Sequence, residues 1–295
     1  MDGGLIWKKL IFGASMKKII LLCSILVINC NRLGLEKSID QNILLDKEFK
    51  NYWFDGTAEI TSYELNQYRY GQNRKGSSVL IYVTEDFLPN KQVKANKESS
   101  STLNILKLNR TKNFLTGIYP YSIMTSIFSR LEKKKPLVKI TSSIQEWCGQ
   151  SYTQLNRRGN LKISSHSYFE DEADQNINLK DNLTEDEIWT LIRTQPELLP
   201  KGKILILPSI EYLQLNHKKI KFYEAEASII EKEGINTYII IYPELQRKHS
   251  ISFKNVRPYG IIEWAEYDLK FPEQVTKAKA IKTVKLPYWK LNNLG

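Results

Sequence analysis

Apolar and polar residues alternate along two adjacent segments, Tyr119 to Phe128 and Leu137 to Trp147, which a lysine-rich turn separates. In the second segment Val138, Ile140 and Ile144 share one parity, with polar or small residues at most positions between them. A sheet with one buried face requires this period of two. The pattern therefore predicts a β-hairpin whose Val138, Ile140 and Ile144 side chains point into the core.

Comparable short segments, broken by Gly, Pro, Asn and Lys, continue on both sides of the hairpin and predict further strands. They are residues 57–67, 78–85, 103–109, 150–156, 161–169, 203–207, 210–215, 219–231, 235–242, 249–253, 259–269 and 281–289. The polar stretches 73–76 and 170–183 between them are predicted to be loops.

One helix is predicted after the second of these loops. Thr184 and Glu187 form a capping box, in which the Thr184 hydroxyl binds the amide three residues on and Glu187 reaches back. The helix continues to about Thr194, where two prolines end it. The predicted fold is thus mainly β, a curved antiparallel sheet in the form of a half-barrel or open barrel, or two sheet halves joined near 170–200. Two packed β-domains are the alternative.

The N-terminal thirty residues differ from the rest. Lys17 and Lys18 precede an unbroken apolar run that ends at Cys30. The run is shorter than a typical transmembrane helix. This pattern predicts a signal peptide at 1–29. We expect translation to begin at Met16, so that residues 1–15 would not be part of the protein as it is made. Cys30 would be the diacylated first residue of a lipoprotein, anchored by palmitate-type chains. Residues 30–50 would then be a tether, with a short helix from Asp40 to Phe49, and 51–295 a β-rich envelope domain.

Net charge and cysteine content exclude some classes of partner and site. The formal net charge of +11 is spread along the chain, and export argues against nucleic acid as a partner. Of three cysteines, Cys23 leaves with the signal and Cys30 is blocked by lipid. Cys148 is left without an intrachain partner, so a disulfide framework and a cysteine metal site are both excluded.

The sequence contains no recognisable catalytic constellation. Cys148 lacks a neighbouring base and is predicted to be a structural thiol beside Trp147. The three histidines, His166, His217 and His249, match no metal-ligand spacing. We therefore expect no enzyme activity, no metal and no cofactor.

Aromatic residues give the central region its candidate binding surface. Tyr119, Tyr121, Trp147 and Tyr152 could line a groove for an acyl chain, a peptide or a glycan, because aromatic rings offer a large amphipathic contact area. For any single one of these residues, a place in an ordinary sheet core is the favoured interpretation.

Several segments together resemble a family of uncharacterised bacterial lipoproteins. They are TGIYPYSIMTS at 116–126, QEWCGQ at 145–150, AEITSYELNQYRYG at 58–71, VLIYVTEDF at 79–87 and DEIWTLIRT at 186–194. Members of that family often bear the label "septum formation inhibitor Maf". Maf proteins begin with a serine-rich, double-arginine substrate loop that this chain lacks, so no Maf catalytic residue is carried over.

The resulting expectation is a non-catalytic lipoprotein of the cell envelope, held by Cys30 on the periplasmic side of a membrane or at the cell surface. It would bind or carry an apolar or amphipathic ligand on a concave sheet. A structural or interaction role in envelope assembly, with a filled core and no pocket, is the first alternative. An envelope hydrolase is the second.

Overall fold

The computed structural model of the protein describes residues 46–131 and 136–293, which belong to one compact unit. Over these residues the chain forms sixteen strands, three α-helices and two short 3-10 segments. The helices are α1 (Lys47–Trp53), α2 (Glu185–Thr194) and α3 (Ile210–Leu215). The first nine strands are β1 (Ala58–Arg69), β2 (Gln72–Leu88), β3 (Val93–Lys94), β4 (Leu103–Thr116), β5 (Tyr119–Arg130), β6 (Leu137–Glu146), β7 (Gly149–Arg158), β8 (Asn160–Ser167) and β9 (Gln175–Leu179). The remaining strands are β10 (Leu183–Thr184), β11 (Gly202–Leu207), β12 (Tyr223–Lys232), β13 (Ile235–Tyr242), β14 (Arg247–Lys254), β15 (Ile261–Asp268) and β16 (Val275–Leu286).

All sixteen described strands belong to one sheet. Its order is β10-β11-β12-β13-β14-β15-β16-β1-β2-β4-β5-β6-β7-β8-β9, with β3 added beside β2. Neighbours are antiparallel except for the two-residue pair of β10 with β11. The sheet is open, because its end strands β9 and β10 pair with one neighbour each in the described region. A mainly β fold built on an antiparallel sheet is therefore confirmed, and two separate β-domains are not formed.

The sheet curves around α2. Glu185 of α2 accepts hydrogen bonds of 2.6 and 2.7 Å from Arg247 on β14, whereas Glu187 lies 3.1 Å from Arg157 on β7. The strands β14 and β7 are eight positions apart in the sheet order, which is about 38 Å in a flat sheet. Contact of both strands with one helical turn requires strong curvature. The concave face surrounds α2 and α3 and carries the main core.

The predicted helix is confirmed, since α2 begins after Thr184 and ends at Thr194. The amide of Glu187 donates to the Thr184 hydroxyl at 3.3 Å, as a capping box requires. The Glu187 carboxylate lies 3.5 Å from the Thr184 hydroxyl and 3.1 Å from Arg157, because the first turn of α2 is enclosed by the sheet.

The central hairpin is formed by β5 and β6, and Ile140 and Ile144 lie in the main core as predicted. Val138 is also buried, but it packs with Phe87 and Ile105 in a second, smaller cluster. The cause is a register shift in which Ser129 pairs with Leu137 while Phe128 pairs with Lys139. Such a bulge leaves one residue without a partner on the neighbouring strand. It also interrupts the alternation of side chains between the two faces of the sheet. The assignment of Val138 to the face of Ile140 is therefore wrong.

Three local predictions are wrong. The loop predicted at 73–76 is part of β2, where a Cβ on Gly76 would lie 2.3 Å from the carbonyl oxygen of Asn113 on β4. This glycine permits close strand approach rather than a turn. The loop predicted at 170–183 contains β9. Residues 210–215, predicted as a strand, form α3, because a short apolar run is compatible with both structures.

Candidate functional site

The structure brings three of the four predicted ligand-binding aromatics together. The ring centroids of Tyr119 and Trp147 are 5.8 Å apart in a stacked arrangement, and those of Tyr119 and Tyr121 are 6.3 Å apart. Tyr121 is buried in the core, and its hydroxyl lies 2.9 Å from that of Tyr70. Tyr152 is on the other face of the sheet, since its neighbours Ser151 and Thr153 point inwards.

Trp147 does not form the wall of a deep cleft. It lies on the turn between β6 and β7, and 67% of its surface is exposed. Cys148, the next residue, is also exposed, and its backbone amide donates to the Glu146 carboxylate at 2.8 Å. The predicted structural thiol beside Trp147 is therefore not part of the core, because the turn carries Cys148 to the surface.

The concave face contains a network of buried ion pairs. The first turn of α2 supplies three consecutive carboxylates, Glu185, Asp186 and Glu187, each beside an arginine from a different strand. The three arginines are Arg247 on β14, Arg110 on β4 and Arg157 on β7. Glu211 of α3 joins the network through Arg110 at 3.1 Å and Lys112 at 2.6 Å. The network ties both helices to distant parts of the sheet.

Burial and neighbouring cations shift the pKa values of several carboxylates on the concave face, and in different directions. Burial alone would raise the pKa of Glu185, but the charge of Arg247 outweighs it and holds that pKa well below its usual value. Burial would likewise raise the pKa of Glu266, but the charges of Arg247 and Lys112 outweigh it and lower that pKa to about 2. Burial raises the pKa of Asp186, in spite of Arg110. The side chains of Glu185 and Arg247 are almost wholly inaccessible to solvent, so a substrate cannot reach this pair.

The described residues offer a second site at one rim of the sheet, a cavity of about 320 Å³ between α1 and the loop that joins β14 to β15. The end of α2 contributes to it through Arg193 and Thr194. Its lining comprises Glu48, Phe49, Asn51, Tyr52, Trp53, Arg193, Thr194, Arg257, Pro258 and Tyr259. Such a volume is at the lower end of the range for small-molecule pockets.

The sequence forms this cavity by local means. Asp46 caps α1 by accepting a hydrogen bond of 2.8 Å from the amide of Phe49. Phe49 and Trp53, four residues apart, lie on one face of the helix and are both buried. Helix α1 begins and ends later than the predicted helix from Asp40 to Phe49, whose first six residues lie outside the described region. The Asp46 cap and the Phe49–Trp53 spacing were the sequence signals for this wall.

Arg193 and Glu59 form a closed ion pair at the base of the cavity. The guanidinium donates to both carboxylate oxygens at 2.6 Å, and its Nε donates to the Pro258 carbonyl at 2.9 Å. Burial would raise the pKa of Glu59, but Arg193 holds it below its usual value. The Tyr52 hydroxyl donates to the same carboxylate. Arg193 also lies 5.0 Å from the centroid of Trp53, so its charge is enclosed by partners.

The other cavity arginine, Arg257, joins the two walls. It contacts Asp46 at 2.5 Å and Glu48 at 3.4 Å, both on or next to α1. Tyr259 of the same loop has a φ of +56°, in the left-handed region that a tyrosine rarely adopts. Strained positions of this kind cluster at ligand sites. Because both arginines have carboxylate partners, the cavity suits an apolar or amphipathic group better than an anion.

No protein-family model matches this chain, and no curated protein and no solved structure matches it. The likeness to bacterial lipoproteins therefore stays a prediction. The predicted lipidation site, Cys30, lies outside the described residues. Within those residues, no helix is long and apolar enough to cross a membrane. The same residues contain no group of three or more His, Cys, Asp or Glu side chains arranged to hold a metal ion.

Proposed function

We propose that this protein is a non-catalytic lipoprotein of the bacterial envelope that binds an apolar or amphipathic ligand in the cavity beneath α1. The observation that carries this proposal is the lining of that cavity. It combines the rings of Phe49, Tyr52, Trp53 and Tyr259 with two arginines that are already paired. The concave face, where a ligand was expected, is occupied by α2 and α3.

The position of the cavity relative to the anchor supports the proposal. Asp46, beside the cavity, follows Cys30 by sixteen residues. Such a tether reaches at most about 55 Å when fully extended. A diacylated Cys30 would therefore keep the cavity close to a membrane surface, where apolar ligands are concentrated.

The anchor is tested by metabolic labelling with a clickable fatty acid. Wild-type protein and Cys148→Ala should both carry the label, because Cys148 lies in the folded domain far along the chain. Cys30→Ala should carry none, and should either move to the soluble fraction or keep its signal peptide. Label on Cys30→Ala, or an unlabelled wild type, would contradict the lipoprotein assignment.

The cavity is tested by titration with the fluorescent apolar probe N-phenyl-1-naphthylamine and its displacement by lauric acid. Thr194→Phe places a ring in the cavity and should weaken probe binding at least tenfold. The control is Ser228→Phe, which adds the same ring at an exposed position of β12 outside the cavity lining. Equal probe affinity in Thr194→Phe and Ser228→Phe would refute this location for the ligand.

A second candidate function, a purely structural or interaction role, is favoured by a different observation. Four exposed apolar side chains, Tyr70, Ile118, Trp147 and Tyr168, follow β1, β4, β6 and β8. In an antiparallel meander these connections return to the same rim of the sheet. Apolar side chains aligned along one rim are suited to contact with another envelope protein.

A further inference from the structure

A groove of about 370 Å³ crosses the outer, convex face of the sheet over β6, β7 and β8. Its floor consists of cross-strand neighbours: Gln145 pairs with Gln150, and Tyr152 lies between Ser143 and His166. These side chains point away from the core, on the opposite face from Thr153. The groove is therefore separate from the network around α2 and from the cavity beneath α1.

The loop between β8 and β9 forms one wall of the groove through Tyr168 and Asp174. This loop packs closely on the β6–β7 turn, since a Cβ on Gly149 would lie 3.1 Å from the ring of Phe169 and 3.2 Å from that of Tyr168. Glu172 fixes the loop from inside by accepting a hydrogen bond of 2.6 Å from the Ser167 hydroxyl and by contacting His217 at 2.6 Å. The wall is thus held in place without a ligand, which lowers the cost of binding.

The polar groups in the groove are nearly all neutral. Gln145 and Gln150 each offer an amide that donates and accepts, and Ser143 offers a hydroxyl. The one carboxylate in the lining, that of Asp174, lies 3.0 Å from the His166 ring. An anionic ligand would meet Asp174, and an apolar chain would leave the amides without partners.

Two tyrosine rings complete the surface. Tyr152 is 41% exposed and Tyr168 is 79% exposed, so both present ring surface to solvent. An aromatic face beside groups that both donate and accept hydrogen bonds matches a sugar ring, which has an apolar C–H face and a rim of hydroxyls. We propose that this outer groove binds a neutral saccharide chain. The site is independent of the ligand in the cavity beneath α1.

Isothermal titration of the folded protein with a β-1,4-linked N-acetylglucosamine tetramer and with maltotetraose tests the proposal. At least one of these neutral probes should bind saturably, with a dissociation constant of roughly 1 mM or lower. An anionic galacturonic acid tetramer of the same length should bind at least tenfold more weakly. Absence of saturable binding by both neutral probes, or preference for the anionic one, would overturn the proposal.

Variants locate the binding. Tyr168→Ala and Gln150→Ala should each weaken the neutral probe at least fivefold, and Tyr168→Phe, which keeps the ring, should bind within twofold of wild type. Both positions are exposed at the surface, so the circular dichroism spectra of all three variants should not change. Phe271→Ala removes a ring that is 51% exposed on the β15–β16 turn and should leave affinity unaltered. Wild-type affinity in Tyr168→Ala, or equal losses in Tyr168→Ala and Phe271→Ala, would refute the assignment.

Discussion

Replacing Arg247 by methionine should lower the free energy of unfolding by about 3–5 kcal/mol. Arg247 donates to both carboxylate oxygens of Glu185 and lies 3.4 Å from Glu266, with almost no exposed side-chain surface. Methionine restores the volume but not the charge, so Glu185 would be left buried without its main partner. Breaking a buried pair on one side is costly because the remaining charge has lost its hydration. Urea unfolding followed by tryptophan fluorescence measures the change.

Two further variants separate this effect from a general loss of charge. Lys221→Met breaks the exposed pair of Lys221 with Glu244 at 2.7 Å and should leave the unfolding midpoint unchanged. Glu185→Gln combined with Arg247→Met should be more stable than Arg247→Met alone, because Glu185 no longer carries a buried charge. If Arg247→Met and Lys221→Met unfold at the same urea concentration, the network does not stabilise α2.

Local sequence signals predicted those elements whose residues all favour one structure. The alternation in 119–128 and 137–147 agrees with the hairpin of β5 and β6, and Thr184 with Glu187 located the start of α2. Where the pattern was short or interrupted, tertiary contacts decided. Residues 210–215 form a helix, and in this position Glu211 reaches Arg110 and Lys112 on β4. That partnership is distant in sequence and invisible in a six-residue window.

The buried network was missed because charge usually marks a solvated face. On β4, however, Arg110 and Lys112 share the parity of Leu106, Leu108 and Phe114, and all five point to the concave side. Charged residues at those alternate positions of a strand that otherwise carry apolar side chains indicate buried ion pairs. Their partners in the first turn of α2 were interpreted only as part of a cap.

The candidate sites, too, could be predicted only in part from the sequence. Aromatic content suggested Tyr119, Tyr121, Trp147 and Tyr152 as one surface, and the first three do lie together. Tyr152 belongs to the outer groove, because the parity of β7 places it opposite Thr153. The cavity beneath α1 depends on Arg193, Glu59 and the 257–259 loop, which are widely separated in sequence. Such a site becomes visible only when the fold is known.

Ile140→Asp should leave the domain unfolded at 25 °C. Ile140 is fully buried and lies between Ile127 on β5 and Leu155 on β7, both of which are also fully buried. A carboxylate at this position would have apolar neighbours across both strands, and burying an unpaired charge costs several kcal/mol. The loss of isoleucine packing adds about 2–5 kcal/mol. Together these costs approach the whole stability of a typical domain, about 5–15 kcal/mol.

Lys139→Asp is the matched control, since it introduces the same side chain one residue away on the outer face. Lys139 is half-buried, and its ammonium donates a hydrogen bond of 3.0 Å to the Gln92 carbonyl. Loss of that bond should cost about 1 kcal/mol, which lowers the melting temperature by a few degrees and leaves the fold intact. Far-UV circular dichroism with thermal melts compares the two variants. A cooperative melt of Ile140→Asp near that of wild type would mean that β6 is not held in this register, because only a shift of one residue would carry position 140 out of the core.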